Sequence, residues 1–187
     1  KQKIYNIGII SDTMEDGEIV VESKYVSGIH VESVFMEDES MAEEYADHYE
    51  LAFSTNKMEE FLKNLDIVYV RTALSDRYAY CHNALSAGKH VICENPCSLD
   101  SEQLETLLKM AEEKQVLFID NVILAYLRAL AQLTWMLNRE LIGQLIKIRC
   151  CIRVENSNEF GMIDQLTDSI LVFLRILGSD YNNVTMN

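Results

Sequence analysis

Apolar residues gather in short runs rich in valine and isoleucine: IYNIGII (4–10), HVESVF (30–35), DIVYV (66–70), HVIC (90–93) and VLFID (116–120). Runs this short, bounded by polar residues, predict strands buried on both faces. Between them the spacing lengthens to the helical period. Met41, Ala42, Tyr45, Ala46 and Tyr49 share one helical face, as do Leu104, Leu107, Leu108 and Ala111. Asp100 and Ser101 are candidate caps for the second helix, and Gly88 is placed to end the helix before HVIC. Alternating strands and helices predict an α/β fold, a doubly wound (Rossmann-type) parallel sheet covering residues 1–121.

Past residue 121 the pattern changes. AYLRALAQLTWMLN (125–138) predicts a linking helix. LIKIRCCIRV (145–154) then alternates strictly, with Ile146, Ile148, Cys150, Ile152 and Val154 on one side and Lys147, Arg149, Cys151 and Arg153 on the other. That alternation predicts a strand of an open antiparallel sheet with one wet face. MIDQLTDSILVFLRIL (162–177) predicts a largely buried helix closed by Gly178. Residues 122–187 are thus expected to hold a linking helix and part of a second, open-sheet α+β domain, because one strand makes no sheet.

Composition narrows the partners. With 187 residues, 49% hydrophobic and 25% charged, the chain has the make-up of a soluble globular protein. A net charge of −14 repels phosphate backbones and anionic lipid, so neither nucleic acid nor membrane is an expected partner. No apolar run approaches the ~18 residues of a spanning helix, and KQKIYNIGII has no cleavable-signal layout. The cytoplasm is the expected compartment. Five cysteines (81, 93, 97, 150, 151) make an odd set, read as free thiols. His90, Cys93 and Cys97 lie along one strand and its exit with no second pair at zinc spacing, so no metal site is expected.

A dinucleotide in such a fold lies across the carboxyl ends of the strands, its pyrophosphate on the first helix N-terminus. The turn after the first strand should then carry G-x-G-x-x-G. Here Ser11, Thr13 and Asp16 occupy the glycine slots, flanked by Asp12 and Glu15. Carboxylates repel a pyrophosphate and already complement the helix dipole. Thr13 with Asp16 reads as a capping-box-like helix start. Glu37 and Asp38, after the second strand, supply the acid that a ribose hydroxyl needs.

The stretch from Leu65 to Asn121 carries a more specific signal: AGKHV, then Glu94 and Pro96 around Asn95, then AEEKQVLFI. In order and spacing it resembles the Gfo/Idh/MocA oxidoreductases, the group of glucose–fructose oxidoreductase and inositol dehydrogenase. ELIGQLIKIR (140–149) looks like the crossing into that family's second domain, and GMIDQLTDSILVFLRILG (161–178) is similar to its D-x-G-x-H-x-x-D helix. The resemblance implies a Rossmann domain binding NAD or NADP. An open-faced sheet that binds a small sugar or polyol and pairs subunits into a homo-oligomer would follow it.

In the family, the lysine of an E-K-P signature contacts cofactor and substrate, and a helix histidine assists proton transfer. Carried onto this chain, the lysine position is Asn95, the histidine position Asp168 and its neighbouring glycine Leu166. The family's T-P-N-x-x-H segment is Thr72-Ala73-Leu74-Ser75-Asp76-Arg77, keeping only the threonine. The candidate catalytic residues are therefore Asn95, Asp168 and Asp164. The candidate cofactor contacts are Ser11, Thr13, Glu37, Thr72, Arg77, Glu94 and Pro96, with Arg77 available for a phosphate or carboxylate that the acidic turn repels. An amide has no proton to exchange near neutral pH, and an aspartate is poised there only if burial raises its pKa. The expected protein is a sugar or polyol dehydrogenase by ancestry, with weak or lost activity. A rearranged active site stays open, as does a non-catalytic oligomerisation or partner-binding role using the Lys147/Arg149/Arg153 face.

Overall fold

The computed structural model describes residues 3–15, 17–149, 151 and 159–178. These form two compact units, 1–121 and 122–187. In the first, the strands are β1 (Tyr5–Ser11), β2 (Ile29–Phe35), β3 (Phe53–Thr55), β4 (Ile67–Arg71), β5 (His90–Glu94) and β6 (Phe118–Asn121). The helices between them are α1 (Glu18–Ser23), α2 (Glu39–Tyr49), α3 (Met58–Phe61), α4 (Leu74–Ser86) and α5 (Ser101–Lys114). All strands pair in parallel, in the order β3-β2-β1-β4-β5-β6, the doubly wound order with its switch point between β1 and β4.

Alternation along the strands separates two cores. Ile10, Phe35, Val68, Val70, Val91 and Cys93 meet Cys81, Ala84 and Leu85 of α4 and Leu107 and Ala111 of α5. Ile7, Ile9, Val34 and Tyr69 meet Val20 of α1 and Ala42, Tyr45 and Ala46 of α2. Helices pack on both faces of the sheet, which is why its strands read as short runs rich in apolar residues. Gly8 lets β1 pass close under the rings of α3: an added Cβ would stand 2.6 Å from Phe61 and 2.2 Å from Leu65. Asp38 and Asp100 cap α2 and α5 with their carboxylates, accepting from Met41 N and Glu102 N. Gly88, at φ 71°, follows α4 in the left-handed region.

The second unit departs from the sequence reading in three ways. The linking helix is divided into a 3₁₀ turn (Ile123–Tyr126) and α6 (Arg128–Asn138). Residues 145–149 of the anticipated strand have no ladder, and Cys150 and residues 152–154 lie outside the described residues. Alternation places side chains but supplies no hydrogen-bonding neighbour, and Ile146 stands 96% exposed. The last helix, α7 (Glu159–Leu177), forms, but Leu166, Ile170, Leu174 and Leu177 are exposed instead of buried. Within this unit it packs against the 3₁₀ turn and α6, which do not cover its apolar faces. No helix among the described residues is long and apolar enough to cross a membrane.

Candidate active site at the strand ends

The carboxyl ends of β1, β2 and β4 border a cavity of about 180 Å³, lined by Ser11, Asp12, Met36, Glu37, Asp38, Met41, Thr72, Asp76 and Tyr80. A larger hollow of about 360 Å³ lies against β2, β3 and α3, away from these ends. The carboxylates of Asp12, Glu37, Asp38 and Asp76 line the first cavity, and no Lys or Arg does. Glu37 is oriented by Tyr80, whose hydroxyl donates to its Oε1 at 3.0 Å. Burial first, then that carboxylate, raises the Tyr80 pKa well above the phenol range. Tyr80 therefore stays a neutral donor.

The first turn is closed by its own side chains. Ser11 Oγ donates to Thr13 O (3.0 Å) and accepts from Thr13 N (3.3 Å), and Thr13 Oγ1 accepts from Glu15 N (3.2 Å). Asp12 Oδ2 accepts from Ala73 N at 2.6 Å, tying the turn to the start of α4. The amides a phosphate would use at residues 13 and 15 already have partners. The anticipated capping box includes Asp16, which lies outside the described residues. The N-cap of α1 is Gly17, without a side-chain cap, and the Thr13 hydroxyl serves Glu15. Gly17 is required by crowding, since a Cβ there would stand 1.8 Å from the Tyr49 ring.

Arg77 does not face the cavity. It is 4% exposed, with Nε donating to Thr72 O (2.9 Å), Nη1 to Pro96 O (3.0 Å) and Nη2 3.7 Å from Glu94 Oε2. Its Nη1 also reaches Glu94 O at 3.5 Å, so protein oxygens engage the guanidinium in the interior, away from the residues that line the cavity. Glu94 also meets Arg71 Nε at 3.3 Å and the Tyr69 hydroxyl at 3.4 Å. Thr72, Glu94 and Pro96 are thus brought together around Arg77, with the Asn95–Pro96 peptide cis. Ser11, Thr13 and Glu37 belong to the other cluster, at the first turn and cavity.

Asn95 sits beside a residue that the sequence reading passed over. Its Nδ2 donates to Asp120 Oδ2 at 2.8 Å. Asp120 is the next-to-last residue of β6, and the β5–β6 register sets it opposite Cys93, two residues before Asn95. An acid ending an apolar strand was its only signal in the sequence. Burial first of all raises its pKa, opposed by hydrogen bonds from Asn95 and the Cys97 backbone and by the Arg77 charge. Among the described residues no group of His, Cys, Asp and Glu is arranged to hold a metal ion.

Residues 12–121 match the Gfo/Idh/MocA family, an oxidoreductase family with an NAD-binding Rossmann fold. The chain belongs to this family. Among Gfo/Idh/MocA relatives, it is 29% identical over 119 residues to an uncharacterized oxidoreductase of Synechocystis sp., a match covering 63% of this chain and 32% of that protein. It is 32% identical over 82 residues to dTDP-3,4-didehydro-2,6-dideoxy-alpha-D-glucose 3-reductase of Actinomadura kijaniata, covering 44% and 25%. Its fold superimposes with a TM-score of 0.68 on a 3-ketoreductase from Actinomadura kijaniata solved with TDP-benzene and NADP, at 22% identity, covering 75% and 45%. UDP-N-acetylglucosamine 3-dehydrogenase of Acidithiobacillus ferrooxidans gives a TM-score of 0.62 at 25% identity, covering 70% and 42%. The chain spans less than half the length of these relatives. The family cofactor is a nicotinamide dinucleotide, and the cavity at the ends of β1, β2 and β4 occupies the fold's nucleotide crevice. Candidate residues Asp164 and Asp168 fall within α7, but their side chains lie outside the described residues.

Proposed function

We propose that this chain is a Gfo/Idh/MocA-type oxidoreductase of sugar or polyol ancestry in which the nicotinamide cofactor binds weakly and hydride transfer is slow or lost. The observation that carries this is the first turn, whose amides at Thr13 and Glu15 are taken by Ser11 Oγ and Thr13 Oγ1. A pyrophosphate would have to displace those bonds while approaching the Asp12 carboxylate. The position of the family lysine, filled by Asn95, supports the same reading, because an amide orients a hydroxyl without exchanging a proton. The relatives named for sugar nucleotides support a sugar-derived substrate class.

The nucleotide favoured on this reading is NAD. Glu37, fixed by Tyr80, is an acceptor for a ribose hydroxyl, whereas a 2′-phosphate would face Glu37 and Asp38 without a lining cation. Calorimetry with NAD and NADP on the full chain tests both parts. Weak NAD binding and weaker NADP binding are expected, with Glu37→Gln narrowing the gap by about tenfold, or ~1.4 kcal/mol. Submicromolar binding of either nucleotide, or rapid turnover of a polyol, overturns the reading.

A further inference from the structure

At the ends of β5 and β6 two buried oxygens, Asn95 Oδ1 and Asp120 Oδ1, have no hydrogen-bond donor among the described residues. Their side chains already share one bond, Asn95 Nδ2 donating to Asp120 Oδ2 at 2.8 Å. A primary amide and a carboxyl group have two complementary legs. The first is the N–H to oxygen bond present here; the second needs a proton on the acid. With Asp120 ionised, two solvent-shielded acceptors stand unmet, at a cost of about 1–3 kcal/mol each. One proton removes both deficits, because it turns the Asp120 oxygen into a donor and gives the amide oxygen its partner.

We propose that Asp120 is a proton-holding residue, kept as the neutral acid by Asn95 in a closed amide–acid pair, Nδ2–H to Oδ2 and Oδ1–H to Oδ1. Asn95 acts here as a positioning residue. The charged and titratable groups facing Asp120 are Arg77 of α4 and the thiols of Cys93 and Cys97. Arg77 opposes protonation, but its guanidinium is engaged with the Glu94 carboxylate and with backbone carbonyls of Thr72, Glu94 and Pro96. Both thiols are pushed up, Cys97 to about 12, so neither adds a charge. Burial of the carboxyl tips the balance toward the acid.

The pair changes the meaning of Asn95. An ammonium at that position would hold Asp120 as a carboxylate, whereas the amide holds it protonated. The ends of β5 and β6 therefore keep an exchangeable proton, on Asp120 and not on residue 95. Release of that proton to a substrate oxygen breaks the Oδ1–H bond and leaves a carboxylate. That anion is held by Asn95 Nδ2–H and by the Cys97 backbone N–H. The protonation itself is independent of the proposed weak activity; its use as a donor rests on that reading.

Infrared difference spectra of the full chain, wild type against Asp120→Asn, test the pair across pH. The expected result is a carboxylic-acid carbonyl band missing from the variant, persisting above the pH of about 4 at which exposed carboxyls ionise. Asn95→Lys should abolish the band by pairing an ammonium with Asp120. An Asp120 that loses its proton together with the exposed carboxyls overturns the proposal. Should Asp120→Asn fail to fold, a carbon-13 titration of the Asp120 carboxyl in the wild type reads the same quantity. Stability gives a further arm. A folded pKa raised above the unfolded one adds stability below the unfolded pKa, and that stability is lost as pH rises through the folded value. The decline should be present in the wild type and flattened in Asp120→Asn; equal slopes overturn the pair. None of these readouts involves a nucleotide, so they stand or fall apart from the cofactor calorimetry.

Discussion

At the residue scale, Arg77 shows how a position inside a functional motif can serve the fold. Its guanidinium joins the loop after β4 to the loop after β5 through Thr72 O and Pro96 O, and it pairs with Glu94 in near-complete burial. Arg77→Met removes one partner of a buried pair and takes the arginine donor from the carbonyls of Thr72, Glu94 and Pro96. Glu94 keeps Arg71 and Tyr69, so the loss should fall at the lower end for such changes, about 3 kcal/mol in urea unfolding. Arg77→Lys should recover only part of it, because a single ammonium does not reproduce the planar fork. An exposed ligand-binding arginine would tolerate either change. Sequence alone made Arg77 a candidate cofactor contact because motif spacing fixes where a residue lies in the chain, not which way its side chain turns. Asp120 was invisible for a related reason. Its partner, Asn95, lies 25 positions away, and only the pairing of β5 with β6 brings the two together.

At the element scale the sheet was legible because helices pack on both of its faces. Five of the six strands coincide with the short apolar-rich runs, α2 and α5 fall where periodicity sets them, and α5 takes the cap anticipated at Asp100. The strand that escaped, β3, is only three residues long, too short to show a period. Alternation failed at 145–149 because a strand is a property of two segments and the pattern describes one. Gly8 offers a test of element packing. Its alanine variant would press a methyl group into Phe61 and Leu65 at the crossing of β1 over α3. The expected destabilisation is about 1–3 kcal/mol by chemical denaturation. Pairing the change with Leu65→Ala should recover part of the loss, and two additive losses would mean the crossing is not the source of strain.

At the scale of the whole molecule, the chain keeps the Rossmann frame of its family, and the proposed change lies in the chemistry at the mouth of that frame. The doubly wound order and its crevice persist, yet the crevice is rimmed by acids and its first turn is closed on itself. Fold and site answer to different demands. The sheet needs apolar bulk, which many side chains supply, whereas a phosphate cradle needs bare amides that one serine hydroxyl is enough to cover.

The core sulfurs have a practical corollary. Cys81, Cys93 and Cys97 are shut inside the first unit at 0%, 0% and 1% exposure, while Cys151 lies open. An alkylating reagent should tag Cys151 at once and reach Cys81, Cys93 and Cys97 only as often as the sheet breathes open. Mass spectrometry of the tagged peptides then yields an internal clock for native-state opening, quickened by urea, and tagging of Cys81, Cys93 and Cys97 as fast as Cys151 would mean that the interior is already loose.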